Sequence, residues 1–366
     1  MGIYIVSFIL NMLFGLSLNM KLNGQYDYNE LNNNIIKRKI YLFITALQLG
    51  LLCGFRADVM AYDTEEYRII FDMCPDSWGT LFDKTSYVEV GFRVFCALIK
   101  IFGGNFQTML IISSLFVMGS CCIFIYRHSK DILFSVFIII SFPFFYSSFD
   151  IVRHFLATAF VLLGYKYVEE RKLFKFLLFM GLGALFQTGI LVFLPLYLMP
   201  KIKWNWKIMV IAILSTVMIF ITLKPLAVFI TNLLGKTSGI DSGWIGSFGG
   251  GIKTALMYAV VLVIAILSFY QIEEPNQDDM TAINYTLVLF ISSVLFIQAR
   301  MMTRVIMTLV AFLAIAIPRL MDKPRMKSDV NYFTLRFGFI IIAFVYHAFM
   351  LLTNWQNVVP YVPYWV

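Results

Sequence analysis

Residues Phe106–Tyr126 read FQTMLIISSLFVMGSCCIFIY, with no charged side chain in the run. A bilayer with a hydrocarbon core of about 30 Å is crossed by a helix of about 20 apolar residues, and this stretch meets that requirement. Comparable runs recur at 3–20, 40–55, 132–147, 151–168, 208–223, 253–270, 281–298, 302–317 and 331–353. Lipid cannot satisfy backbone hydrogen bonds, so such segments are helices unless they close a barrel. Barrel strands alternate apolar and polar residues over about ten positions, and these runs do not alternate. The sequence therefore predicts an all-α integral membrane protein with about ten full transmembrane helices.

Composition agrees. Hydrophobic residues make up 60% and charged residues 14% of the 366-residue chain, and the mean hydropathy is +0.81. A soluble domain carries about 25% charged residues. The net charge of +8 would suggest nucleic acid in a soluble protein. No basic domain stands apart from the apolar runs, so nucleic acid is not expected, and Lys and Arg are read as markers of cytoplasmic loops. Cys53, Cys74, Cys96, Cys121 and Cys122 show no CxxC or metal-ligand spacing. Most lie in apolar runs and read as small hydrophobes; Cys74 lies in a polar loop. The first run has no positive residue before it, so it is read as a retained span rather than a cleavable signal.

Two segments depart from the simple pattern. The run 174–199 is broken by Gly181, Gly183, Gln187, Thr188, Gly189 and Pro195 and is read as a broken helical hairpin. The segment 89–102 is apolar but short and carries Glu89, Arg93 and Lys100, as an amphipathic helix at the outer surface would. With that hairpin, the segments 21–39, 127–131, 169–175, 201–207, 271–280 and 319–330 fall inside and hold most of the loop Lys and Arg, as orientation requires. Both ends then lie outside. The chain reads as one polytopic membrane domain, 1–366, with extracytoplasmic loops 56–88 and 224–252.

Four arginines gather on the outer side of this topology: Arg56, Arg153, Arg300 and Arg304. Positive charge is disfavoured there, so these residues need another reason for their position. Each has a plain reading, as an interfacial anchor or a partner for Asp58, Asp63, Asp150 or Glu89. Arg300 and Arg304 are four apart on one helix face, where like charges repel unless an anion lies between them. The arginine fork matches phosphate oxygens, and a cluster can neutralise a leaving diphosphate without a metal. His128, His154 and His347 are far apart in sequence, and no metal cage is read. Candidate bases on the same side are Asp58, Asp63, Glu89, Asp150 and His154. Gln187, at the tip of the hairpin, can only donate or accept hydrogen bonds.

The order of these features resembles the EpsG-like branch of the Wzy-type polysaccharide polymerases. The residues that carry the resemblance are Arg56, then Asp63-Thr64-x-x-Tyr67-x-x-x-Phe71, then Glu89-Val90-Gly91-Phe92, then Ile151-Val152-Arg153-His154-Phe155-Leu156-Ala157, then Arg300-x-x-x-Arg304 and a tail with Pro360-Tyr361. The resemblance runs through nearly the whole chain. It implies a bacterial inner-membrane glycosyltransferase with its site on the extracytoplasmic side. Such an enzyme transfers glycan from undecaprenyl pyrophosphate to a lipid-linked repeat unit, building O-antigen, capsule or exopolysaccharide. It implies no metal and no cofactor, lipid-linked donor and acceptor glycans as partners, and a chain-length regulator as a candidate partner. Arg56, Arg153 and Arg300 would hold the pyrophosphates. The sequence departs from the family's pattern at Ala61, where a glycine is usual, at His154 where glutamine is expected, at Gln187 where histidine is common, and at Arg304 where an aromatic is usual. Two other readings are weighed. A lipid-linked glycan ligase or acyltransferase would share the arginine logic or need a histidine in the membrane. A flippase would show internal repeats and charges at the midplane.

Overall fold

The computed structural model describes residues 1–18, 28–80, 88–234, 251–299 and 302–365. The apolar runs form helices: α1 (Gly2–Ser17), α2 (Tyr28–Gly54), α3 (Thr64–Met73), α4 (Val90–Ile101), α5 (Phe106–His128), α6 (Ile132–Ser141), α7 (Pro143–Ser147), α8 (Val152–Glu169), α9 (Leu173–Ala184), α10 (Trp206–Leu234), α11 (Gly251–Tyr270), α12 (Gln277–Phe296), α13 (Met302–Leu320) and α14 (Asp329–Leu352). α5, α11, α12, α13 and α14 are long and apolar enough to cross a membrane, and Gly2–Ser17, Ile132–Ser141, Leu173–Ala184, Thr188–Lys201 and Met209–Thr222 are shorter apolar helices. This is an all-helical, multi-pass membrane protein.

Local chemistry explains where the helices differ from the hydropathy runs. Asn105 caps α5 by accepting from Thr108 N at 3.0 Å, while its own N–H donates to the Thr108 hydroxyl. Asp131 caps α6 by accepting from Phe134 N at 3.0 Å. Pro143 cannot continue α6 because it lacks an N–H, so the run 132–147 is split and α7 starts at the proline. The predicted loop 56–88 contains α3, and α2 begins well inside the predicted segment 21–39. Of the predicted loop 224–252, residues up to Leu234 continue α10, Gly251 opens α11, and 235–250 lie outside the described residues.

The chain divides into two compact units, 1–197 with 347–366, and 198–346. In the first unit α5 packs on α2 and α8, and α8 packs on α9. The α2–α5 crossing is close because Gly54 has no side chain; a Cβ there would lie 2.8 Å from Ile111 Cα. The segment 174–199 forms two limbs, as expected. α9 ends where Phe186 N and Gln187 N bond back to Gly183 O, both at 3.0 Å, and the 3-10 turn Thr188–Tyr197 packs against it. α4 is amphipathic, burying Phe92, Cys96, Ala97 and Ile99. His347 is a core residue, as its sequence context suggested, with Nδ1 3.2 Å from Ile140 O.

The second unit stacks α12 against α10, α11 and α13. Its polar centre is Asp279, whose side chain is fully buried. Asp279 Oδ1 accepts from Arg319 Nε and Arg325 Nη1, both at 2.9 Å, and its Oδ2 accepts from Arg325 Nη2 at 2.5 Å. Asp279 also completes a capping box with Asn276 at the start of α12. The two segments predicted to lie inside are thereby tied together. The backbone adds bonds from Glu273 N to Arg325 O and from Lys327 N to Gln271 O.

Candidate functional site

α2 stops at Gly54, and the chain turns through Phe55 and Arg56. Residues 357–364 cross this turn as a strap. Ala57 N donates to Val362 O at 2.8 Å, Tyr364 N to Phe55 O at 2.9 Å and Ala61 N to Asn357 O at 3.2 Å. The Tyr361 hydroxyl donates to Leu52 O at 3.0 Å. Beneath the strap Arg56 is 0% exposed. Its Nη1 donates to Cys53 O at 2.6 Å, and its guanidinium lies 5.6 Å from the Phe149 ring. Nε and Nη2 are buried and have no hydrogen-bond partner among the described residues. A buried cation without an anion carries a desolvation cost of several kcal/mol. The Asp150 carboxyl lies within the field of Arg56 but takes no hydrogen bond from these two nitrogens.

Beside it lies Asp150, 4% exposed, between α7 and α8. Its Oδ1 accepts from Asp63 N at 2.7 Å, at the start of α3. Burial pushes the Asp150 carboxyl up to about 6, with the neighbouring Asp63 adding to the rise; the backbone bonds from Asp63 and Tyr62 and the charge of Arg56 oppose it. A carboxyl tuned to that range can take up a proton near neutral pH. Asp150 appears in the sequence only as one acid among several. Its separation from α3 by 87 residues hides the capping role that buries it.

One residue into α8, Arg153 Nη1 donates to Glu89 Oε2 at 2.9 Å. Its guanidinium lies 5.8 Å from the Tyr67 ring of α3, and its buried Nε has no hydrogen-bond partner among the described residues. Glu89 Oε1 accepts from Thr188 N at 3.0 Å, joining the head of α4 to the hairpin tip. The join depends on Gly91. Its N–H donates to Leu185 O at 2.8 Å, and a Cβ there would lie 2.7 Å from that oxygen. Thr188 and the strap are parts of the site that sequence reading missed; the break at 187–189 and the Pro360-Tyr361 tail were the signals.

Of the residues singled out from the sequence, Arg56, Asp63, Tyr67, Glu89 and Arg153 are linked through Asp150, α3 and Thr188. Gln187 immediately precedes Thr188 and is 7% exposed. His154 is 2% exposed, with Nε2 3.5 Å from the Thr158 hydroxyl one turn on. Asp58 pairs with Arg68 and is 29% exposed. Arg304 lies on α13, in the second unit, and Arg300 lies outside the described residues. Among the described residues no three His, Cys, Asp or Glu side chains converge as metal ligands. An apolar groove of about 760 Å³ runs past the same turn, lined by Ser7, Leu10, Gln48, Phe55, Tyr361 and Trp365, among others.

The EpsG family's sequence profile matches residues 39–364, and the chain belongs to that family, which is associated with exopolysaccharide biosynthesis. A search of curated proteins finds no match to the chain, and neither does a search of solved structures.

Proposed function

We propose that this protein polymerises undecaprenyl-pyrophosphate-linked oligosaccharide repeat units at the extracytoplasmic face of the bacterial inner membrane. The observation that carries this reading is Arg56, fully buried with two donor nitrogens unused. A diphosphate supplies the paired oxygens that such a fork matches. Arg153, turned toward Glu89, is the second positive group of the site.

In this reading a hydroxyl of the acceptor glycan attacks the anomeric carbon of the donor. The carbon–oxygen bond to pyrophosphate breaks, and undecaprenyl pyrophosphate leaves with its charge stabilised by arginine. The hydroxyl proton passes to a carboxylate. Asp150 suits that role best, because Glu89 is held by Arg153 and Thr188 and Asp58 by Arg68. Glu89 then positions Arg153. The apolar groove beside Phe55 and Tyr361 takes the isoprenoid chain of the carrier. Arg300 and Arg304 are assigned to a second pyrophosphate from the sequence pattern alone.

The test is the surface glycan of cells lacking the gene, and of the same cells with it restored. Loss of the long ladder with a single repeat unit still reaching the surface supports polymerisation. Loss of the single unit as well places the defect in export or ligation and overturns the reading.

A further inference from the structure

Cys74 lies just past α3 and Cys96 on the buried face of α4. Lys100, one turn beyond Cys96 on α4, reaches back to the Cys74 carbonyl, which sets the two cysteines, both free thiols here, on neighbouring faces of α3 and α4. Both residues are buried, at 3% and 0% exposure. The two helices are held in register around them. The Tyr67 and Phe92 rings meet at 5.8 Å. Lys100 Nζ donates to Cys74 O at 2.6 Å and to Asp72 O at 3.1 Å, and lies 5.9 Å from the Phe71 ring. The remaining cysteines are placed differently. Cys53 contacts Arg56 and Ser114, and Cys121 and Cys122 are neighbours within the apolar α5.

We propose that Cys74 and Cys96 form a disulfide that staples α3 to α4. This rests on the outward placement of residues 56–88 in the proposed topology, since thiols on the cytoplasmic side stay reduced. The oxidant is a protein disulfide donor of the extracytoplasmic compartment, acting as the segment folds. The Cys74 thiolate attacks the donor's sulfur–sulfur bond and forms a mixed disulfide. Cys96 then attacks the Cys74 sulfur and displaces the donor, now a dithiol. Two electrons and two protons pass to the donor overall. The neighbouring Cys96 thiol lowers the Cys74 thiol against the effect of burial, and the charges of Lys100 and Arg93 help it. The staple fixes the helix that carries Tyr67 to the helix headed by Glu89, and both of those residues contact Arg153.

The experiment counts thiols. Full-length protein purified in detergent is denatured, alkylated with a maleimide with or without prior reduction, and weighed. Of its five cysteines, three label without reduction and all five after it, and digestion yields one peptide linking 74 to 96. In Cys74→Ser four label without reduction, because Cys96 is released. Five labelled thiols in the unreduced wild-type protein, or a link between any other pair, overturns the staple. The same strain is scored for its surface glycan ladder. Free thiols with an intact ladder overturn the staple and leave the polymerase reading standing; a linked pair in a protein that restores no ladder does the reverse.

Discussion

Arg56 separates cost to the fold from use in function. Its guanidinium is buried with two unpartnered nitrogens, so replacing it with an apolar side chain of similar length removes a desolvated charge. Arg56→Met is expected to hold or raise thermal stability in detergent, by about 1–3 kcal/mol, while chain extension is lost. A large fall in stability would mark the residue as structural. Asp150 gives a pH signature. Its carboxyl is raised from 3.8 to about 6, so the fold favours the protonated form. That contribution is complete below about pH 4 and is lost as pH rises through about 6, on the order of 3 kcal/mol. Asp150→Asn, which can still accept from Asp63 N, should therefore be more stable than wild type at pH 8 and no more stable at pH 4. Wild-type extension should rise with pH through the same range, because the base acts deprotonated. Ala61 sits at φ +66°, left-handed backbone that costs a residue with a Cβ about 1 kcal/mol. Ala61→Gly should therefore stabilise by up to about 1 kcal/mol, read as a higher melting temperature.

Among the elements, the contact between the head of α4 and the hairpin tip is the most exacting. A methyl group on Gly91 would press on Leu185 O, and backbone cannot yield as a side-chain end can. Gly91→Ala is expected to cost about 1–3 kcal/mol and to weaken extension by releasing Glu89 from Thr188. Unchanged melting and activity would mean that the two elements move apart freely. The sequence made these elements legible in unequal degree. The runs that became α5, α11 and α14 were plain, because length and hydropathy alone decide a span. The hairpin was legible from its Gly, Gln and Pro breaks, and α4 from its charge pattern. The split at Pro143 was hidden inside an apolar run, and α3 inside a polar segment. The partnership of Arg153 with Glu89 stood only as one option among several acids, since residues 64 apart give no local sign of meeting.

For the whole molecule, the two units call for separate tests. Asp279 anchors the second unit through Arg319 and Arg325. Asp279→Ala leaves two cations around an emptied centre and should destabilise the protein by about 3–5 kcal/mol, seen as early melting or low yield. The first unit gathers the arginine site from residues spread over most of the chain. The strap is the far end of that spread: Tyr361 bonds to Leu52 across 309 positions. Contacts between such distant positions form only after the intervening chain has been laid down, because closing so long a loop costs entropy that local pairing does not. The timing of assembly follows. While the chain is being threaded into the bilayer, Arg56 has no cover and the groove lacks the wall that Pro360, Tyr361, Pro363 and Trp365 supply. The cover over Arg56 arrives with residues 357–364, and chains stopped before them are expected to enter the membrane yet restore no glycan ladder.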